Sequence, residues 1–149
     1  MLLYLKINEM VTEDYISFEI ATLLKKKEFD EKCQKVYMHN GQLLWAQIFM
    51  EGESFVNNEC IDLVAKYNNW TEGDYAFLCP TLQMAMKWLR EVHNIVIVAT
   101  PSIFWGKYNI IMYRKGNDYP IGFDGDSLFP SYEQACEAAI KYCLEHLVK

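Results

Sequence analysis

Residues 79–95, CPTLQMAMKWLREVHNI, constrain this chain more than any other stretch. Proline followed by a capping threonine, Pro80 and Thr81, is a clean helix start. From there Gln83, Lys87, Arg90, Glu91 and Asn94 recur at helical spacing as the only polar stripe. Leu82, Ala85, Met86, Leu89 and Val92 form an apolar face, which Met84 and Trp88, four residues apart, widen. A helix that gives so little of itself to water must be covered on more than one side, so the pattern predicts a central helix touching sheet and a further element. Methionine-rich faces also occur at adaptable binding surfaces, but filling gaps in a core is their commoner use, and the stretch is assigned to the core.

The flanking segments supply the partners. Ser17 can cap a first helix reaching about Glu28, with Phe18, Ala21, Leu24 and Ile20 as its apolar stripe and Lys25, Lys26 and Lys27 at the negative end of the helix dipole. Asn40-Gly41 lies between strand-like runs expected near 34–39 and 42–49, a hairpin signal that assigns positive φ to both turn residues. Val56, Cys60, Leu63, Val64 and Tyr67 suggest a short rim helix, and YAFLC an extended piece before Pro80. After the central helix, IVIVAT and KYNIIMYRKGNDYPIGF read as two or three strands, turning at Gly116-Asn117-Asp118. The last helix opens with the capping pattern of Ser131 and Gln134 and carries Glu133, Glu137, Lys141 and Glu145 on a wet stripe. The fold class is therefore α+β, a mostly antiparallel sheet of about four to six strands covered by about three main helices.

Length and composition fit one domain over residues 1–149. With 149 residues, 52% hydrophobic, the chain has apolar material for a single ordinary core. Its opening, MLLYLKINEM, is too short and too poor in basic residues for a secretory signal, and no run approaches the ~18 apolar residues of a membrane helix. Five cysteines, odd in number and without a C-x-x-C pair, point to a reducing compartment, and a cytoplasmic protein is expected.

The formal charge of -6 is concentrated in an acidic insertion at 50–75. There Glu51, Glu53, Glu59, Asp62, Glu72 and Asp74 face only Lys66, making these six residues the candidate interaction surface and a basic protein, such as one of a host, the partner they would steer. Without a broad basic footprint, nucleic-acid binding over a large surface is disfavoured.

No motif names a reaction. Cys79, at a helix entrance, is the best single nucleophile candidate beside His39, His93 or His146, yet no local signature accompanies it, while Cys136 and Cys143 fit a core face. Cys33, His39, Cys60 and Cys79 lack the paired spacing of a zinc site, and DGDS at 124–127 lacks the ligands of a calcium loop and fits a turn. Trp105, Lys107, Tyr108, Tyr113, Arg114 and Lys115 mix basic and aromatic groups in the manner of a single-strand binder, although a half-buried hairpin with solvated lysines explains them as well. No catalytic, cofactor-binding or metal residue is assigned.

Three segments, MVTEDYISFEIATLLKKKEFDE, PTLQMAMKWLREVHNI and SYEQACEAAIKYCLEHLV, resemble a family of small proteins encoded by gut Bacteroidales and by the prophages and mobile elements in their genomes. The likeness covers the first, central and last helices. It brings no assigned activity, so no functional residue carries over. It implies a start at the position of Met10 and residues 1–9 as an extension, in which Leu3, Leu5 and Ile7 alternate as an added edge strand would. The expectation is a non-enzymatic accessory protein of phage or mobile-element origin acting through protein contacts, with self-association among them. The alternatives are a nucleic-acid-associated module using the 105–115 hairpin and a small enzyme with a cysteine or histidine in a pocket.

Overall fold

The computed structural model describes residues 13–103, 106–122 and 128–149. The extension at 1–9, Trp105 and the DGDS turn at 124–127 lie outside the described residues. In chain order the elements are α1 (Phe18–Lys26), β1 (Lys35–Met38), β2 (Leu43–Trp45), α2 (Ala46–Phe49), α3 (Asn58–Tyr67), β3 (Ala76–Cys79) and α4 (Leu82–His93). There follow β4 (Ile95–Pro101), β5 (Tyr108–Arg114), β6 (Pro120–Ile121), β7 (Leu128–Phe129) and α5 (Tyr132–Tyr142), which runs on into a π-helical turn at Cys143–Leu147.

The α+β class and the antiparallel pairing are as the sequence predicts, but the strands divide between two sheets. The first has the order β2-β1-β3; in the second β5 pairs with β4, β6 and β7. Helix α4 connects them, because β3 enters it from the first sheet and β4 leaves it into the second. Thr81 Oγ1 accepts from Met84 N at 3.1 Å to start the helix, and Asn94, left-handed at φ 58°, ends it. The same chemistry starts α1, where Ser17 Oγ accepts from Ile20 N, and α5, where Ser131 Oγ accepts from Gln134 N.

The central helix is buried as its pattern demands. Leu82, Ala85, Met86, Trp88 and Leu89 join one buried cluster that runs from Ile16 to Val148 and takes residues from both sheets. Trp88 stands edge-on to Phe29 at 5.3 Å between ring centroids. α4 and α5 lie on β4, α1 lies on β3, and α5 meets both α1 and α4, so the helices join the two sheets. Val92 departs from the expectation: it is 54% exposed.

Three further expectations are corrected. The Asn40-Gly41 turn is a three-residue loop in which Met38 N donates to Gln42 O and only Gly41 has positive φ, 86°. The second hairpin strand stops at Trp45 instead of reaching 49: Ala46 N makes a last bond to Gln34 O, then one helical turn closes from Met50 N to Ala46 O and lays Phe49 edge-on against Trp70. The α5 stripe is not simply wet. Glu137 accepts the Ser17 backbone N–H at 2.8 Å, at the positive end of the α1 dipole, and Lys141 Nζ lies 2.9 Å from Glu19.

Candidate interaction surface

The acidic insertion is anchored at a few points, packs Ile61, Cys60 and Trp70 against the core and leaves most of its charged side chains in solvent. Val56 is tied to Cys33 by a pair of backbone bonds, Asn57 caps α3 by accepting from Cys60 N, and Asn58 donates its backbone N–H to Asp30 and its side-chain amide to Phe29 O. These bonds set the phase of the helix. Of the face expected from Val56, Cys60, Leu63, Val64 and Tyr67, Val56 is buried and Cys60 packs against the core, but the helix is rotated beyond them: Ile61 is the one buried residue of α3, while Leu63 is 53% and Tyr67 88% exposed.

Of the six acidic candidates, Glu51, Glu53, Glu59, Asp62 and Glu72 are exposed and Asp74 is half-buried. The structure does not gather them into one cluster of interlocked carboxylates. Asp62 accepts from the Tyr75 hydroxyl at 3.3 Å. Asp74 closes the turn at Thr71, whose backbone N–H and hydroxyl both donate to it and hold its carboxyl below the usual range, with His39 3.8 Å away. These two side chains have structural work, and the glutamates are what the surface offers a partner.

A groove that the sequence did not reveal runs beside α4. Met84, Trp88 and Val92, at successive four-residue steps, stand one above another along the helix and form its floor. Gln83, Lys87 and Glu91 make one wall, and Glu31 and Lys32, from the loop between α1 and β1, make the other. Its volume is about 570 Å³. The i, i+4, i+8 row was legible, but its opening depends on a loop some fifty residues earlier in the chain. The charges around the groove are unequal. Lys32 and Lys87 line it with Glu31 and Glu91, and Lys115, 3.7 Å from Glu91, adds a third cationic group beside that wall.

The other candidates are committed elsewhere. Cys79 is fully buried in β3, with its Sγ 3.7 Å from Ile16 O, and burial pushes its pKa up to about 12. Burial likewise raises Cys136 and Cys143, the latter to about 12, with Cys143 Sγ 3.6 Å from Met112 Sδ; both sit on the core face expected of them. Thiolate, the nucleophilic form, is thus disfavoured at each. His93 packs edge-on against Trp88 at 4.6 Å and His146 lies against Tyr142 at 4.7 Å. In the basic-aromatic hairpin, Tyr108 packs against Tyr132, Arg114 donates to Leu147 O, and Lys115 pairs with Glu91.

Among the described residues no set of three or more His, Cys, Asp or Glu side chains converges as a metal site would require, and no helix is long and apolar enough to cross a membrane. No family model, curated protein or solved structure matches this chain.

Proposed function

We propose that the chain is a small non-enzymatic accessory protein that works by holding a segment of another polypeptide in the groove beside α4. The observation that carries this is the groove's make-up: an apolar floor of Met84, Trp88 and Val92 between charged walls, with no thiol or imidazole among its described lining residues. Such a surface suits an amphipathic helix laid apolar side down, with its polar flanks meeting the walls. The exposed glutamates of the acidic insertion add long-range steering of a basic partner, which acts on association rate more than on final affinity. Origin in a prophage or mobile element rests on the resemblance of the first, central and last helices. A cytoplasmic setting is supported by five free cysteines, four of them buried.

Panning a library of displayed helical peptides against the full chain tests the proposal. Selected peptides should carry apolar residues four apart with acidic neighbours, and Val92→Asp should abolish their binding without shifting the melting transition, since Val92 is half in solvent. A set of binders indifferent to Val92→Asp, or no binders at all, would remove the groove as the functional surface.

A further inference from the structure

The groove and the acidic insertion are complementary to each other. On α3, Leu63 and Tyr67 sit one turn apart with their side chains largely in solvent, and Glu59 precedes them by one more turn on the same face. The insertion around them carries six acidic side chains against Lys66 alone. Along α4 the row Met84, Trp88 and Val92 offers an apolar floor with the same four-residue repeat, under a rim in which cationic groups outnumber anionic ones. One surface is an uncovered amphipathic helix with an acidic border. The other is a helix-sized apolar trough with a basic border.

We infer that the occupant of the groove is helix α3 of a second copy of this chain. Leu63 and Tyr67 enter between Trp88 and the Glu31–Lys32 wall, and Glu59 meets the lysines of the groove, Lys32 and Lys87. This deepens the function proposed above and rests on it, replacing an unspecified polypeptide with the chain itself. The contact joins two different patches, so each copy has one of each to offer. A pair of copies closes on itself if both contacts form reciprocally; otherwise association continues head to tail. The charges add attraction that salt screens, so the association weakens as ionic strength rises.

Two single variants and their mixture test the inference by sedimentation velocity on the full chain from about 1 to 200 μM, a range that spans weak to moderate affinities. Val92→Asp spoils the groove and leaves α3 intact; Tyr67→Asp spoils α3 and leaves the groove intact. Both positions are exposed, so the fold is kept, and a melting scan verifies it. The wild-type chain should show a concentration-dependent rise in mass. Each variant alone should associate at least about 30-fold more weakly, as when a central apolar anchor is lost. An equimolar mixture should recover a 1:1 pair, because one variant still supplies the helix and the other the groove. A wild-type chain that stays monomeric throughout, a Tyr67→Asp variant that associates like the wild type, or a mixture that fails to pair would each overturn α3 as the occupant. If peptides still bind in a Val92-dependent manner in that case, the groove keeps its function and only its partner is wrong.

Discussion

Helices α3 and α4 start alike and end in different circumstances. Each begins at a side-chain cap, Asn57 or Thr81, each is amphipathic, and each lies next to β3 in the chain. Yet α4 buries five residues and α3 buries one. The difference comes from what reaches them. α4 lies on β4, is met by α5 and packs Trp88 on Phe29, whereas α3 has β3 as its neighbour and is held by its first turn to the loop after α1. Amphipathic spacing therefore reports what a helix could bury, and the number of elements arriving from elsewhere in the chain decides how much it does bury.

The largest expected effects set the two helices against each other. Trp88→Ala removes a ring packed on Phe29 and His93 and should cost about 3 to 5 kcal/mol in a denaturant titration, while Tyr67→Ala in the monomer should stay within about 0.5 kcal/mol. Comparable losses at both would mean that α3 is covered after all. Ile61→Ala sharpens the contrast from the other side. As the only buried residue of its helix it should cost about 2 to 5 kcal/mol if α3 unfolds only with the rest, and less if α3 detaches by itself.

Smaller effects come from polar contacts around the better-covered region. Glu137→Ala should cost about 1 to 3 kcal/mol, since it leaves the Ser17 N–H without its charged acceptor and removes a negative group from the start of α1. Lys141→Ala, which breaks an exposed pair with Glu19, should cost less than Glu137→Ala in the same titration. The smallest concerns pH. Burial, with Lys27 nearby, holds the His93 imidazole below its ordinary pKa, and its Nε2 is buried without a hydrogen-bond partner among the described residues. The unfolded chain takes up this proton near pH ~6.5 and the folded one only at lower pH, so His93 lowers stability as pH falls from about 7 to about 5. His93→Gln should flatten that part of the profile; an unchanged slope in urea midpoints would show that His93 titrates alike in both states.

What could be read in advance was what neighbours in sequence decide. Ser17, Thr81 and Ser131 were legible as caps because a hydroxyl accepting an amide two or three residues on is a local event. The buried row of α4 was legible because its polar residues keep to one stripe and leave a broad apolar face. The phase of α3 was not, because it is fixed by Val56 pairing with Cys33 and by Asn58 bonding to Phe29 and Asp30, contacts made across more than twenty residues. The division into two sheets was hidden for a similar reason: strand runs announce themselves, but which strands share a ladder depends on where α4 delivers the chain. At the candidate site, exposure of the glutamates followed from their charge. The groove did not, since the Glu31–Lys32 wall and the α4 floor meet only in the folded chain.

Native-state hydrogen exchange on the full chain at low micromolar concentration tests the unequal covering of the two helices most directly. Amides in the middle of α4, from Ala85 to Leu89, should exchange only through global unfolding, with a free energy equal to that of the denaturant titration, whereas those of α3 from Ile61 to Ala65 should open at a distinctly lower free energy. Raising the concentration should slow exchange in α3 as copies cover it. Equal protection of both helices at low concentration, with no change in α3 as concentration rises, would contradict the account.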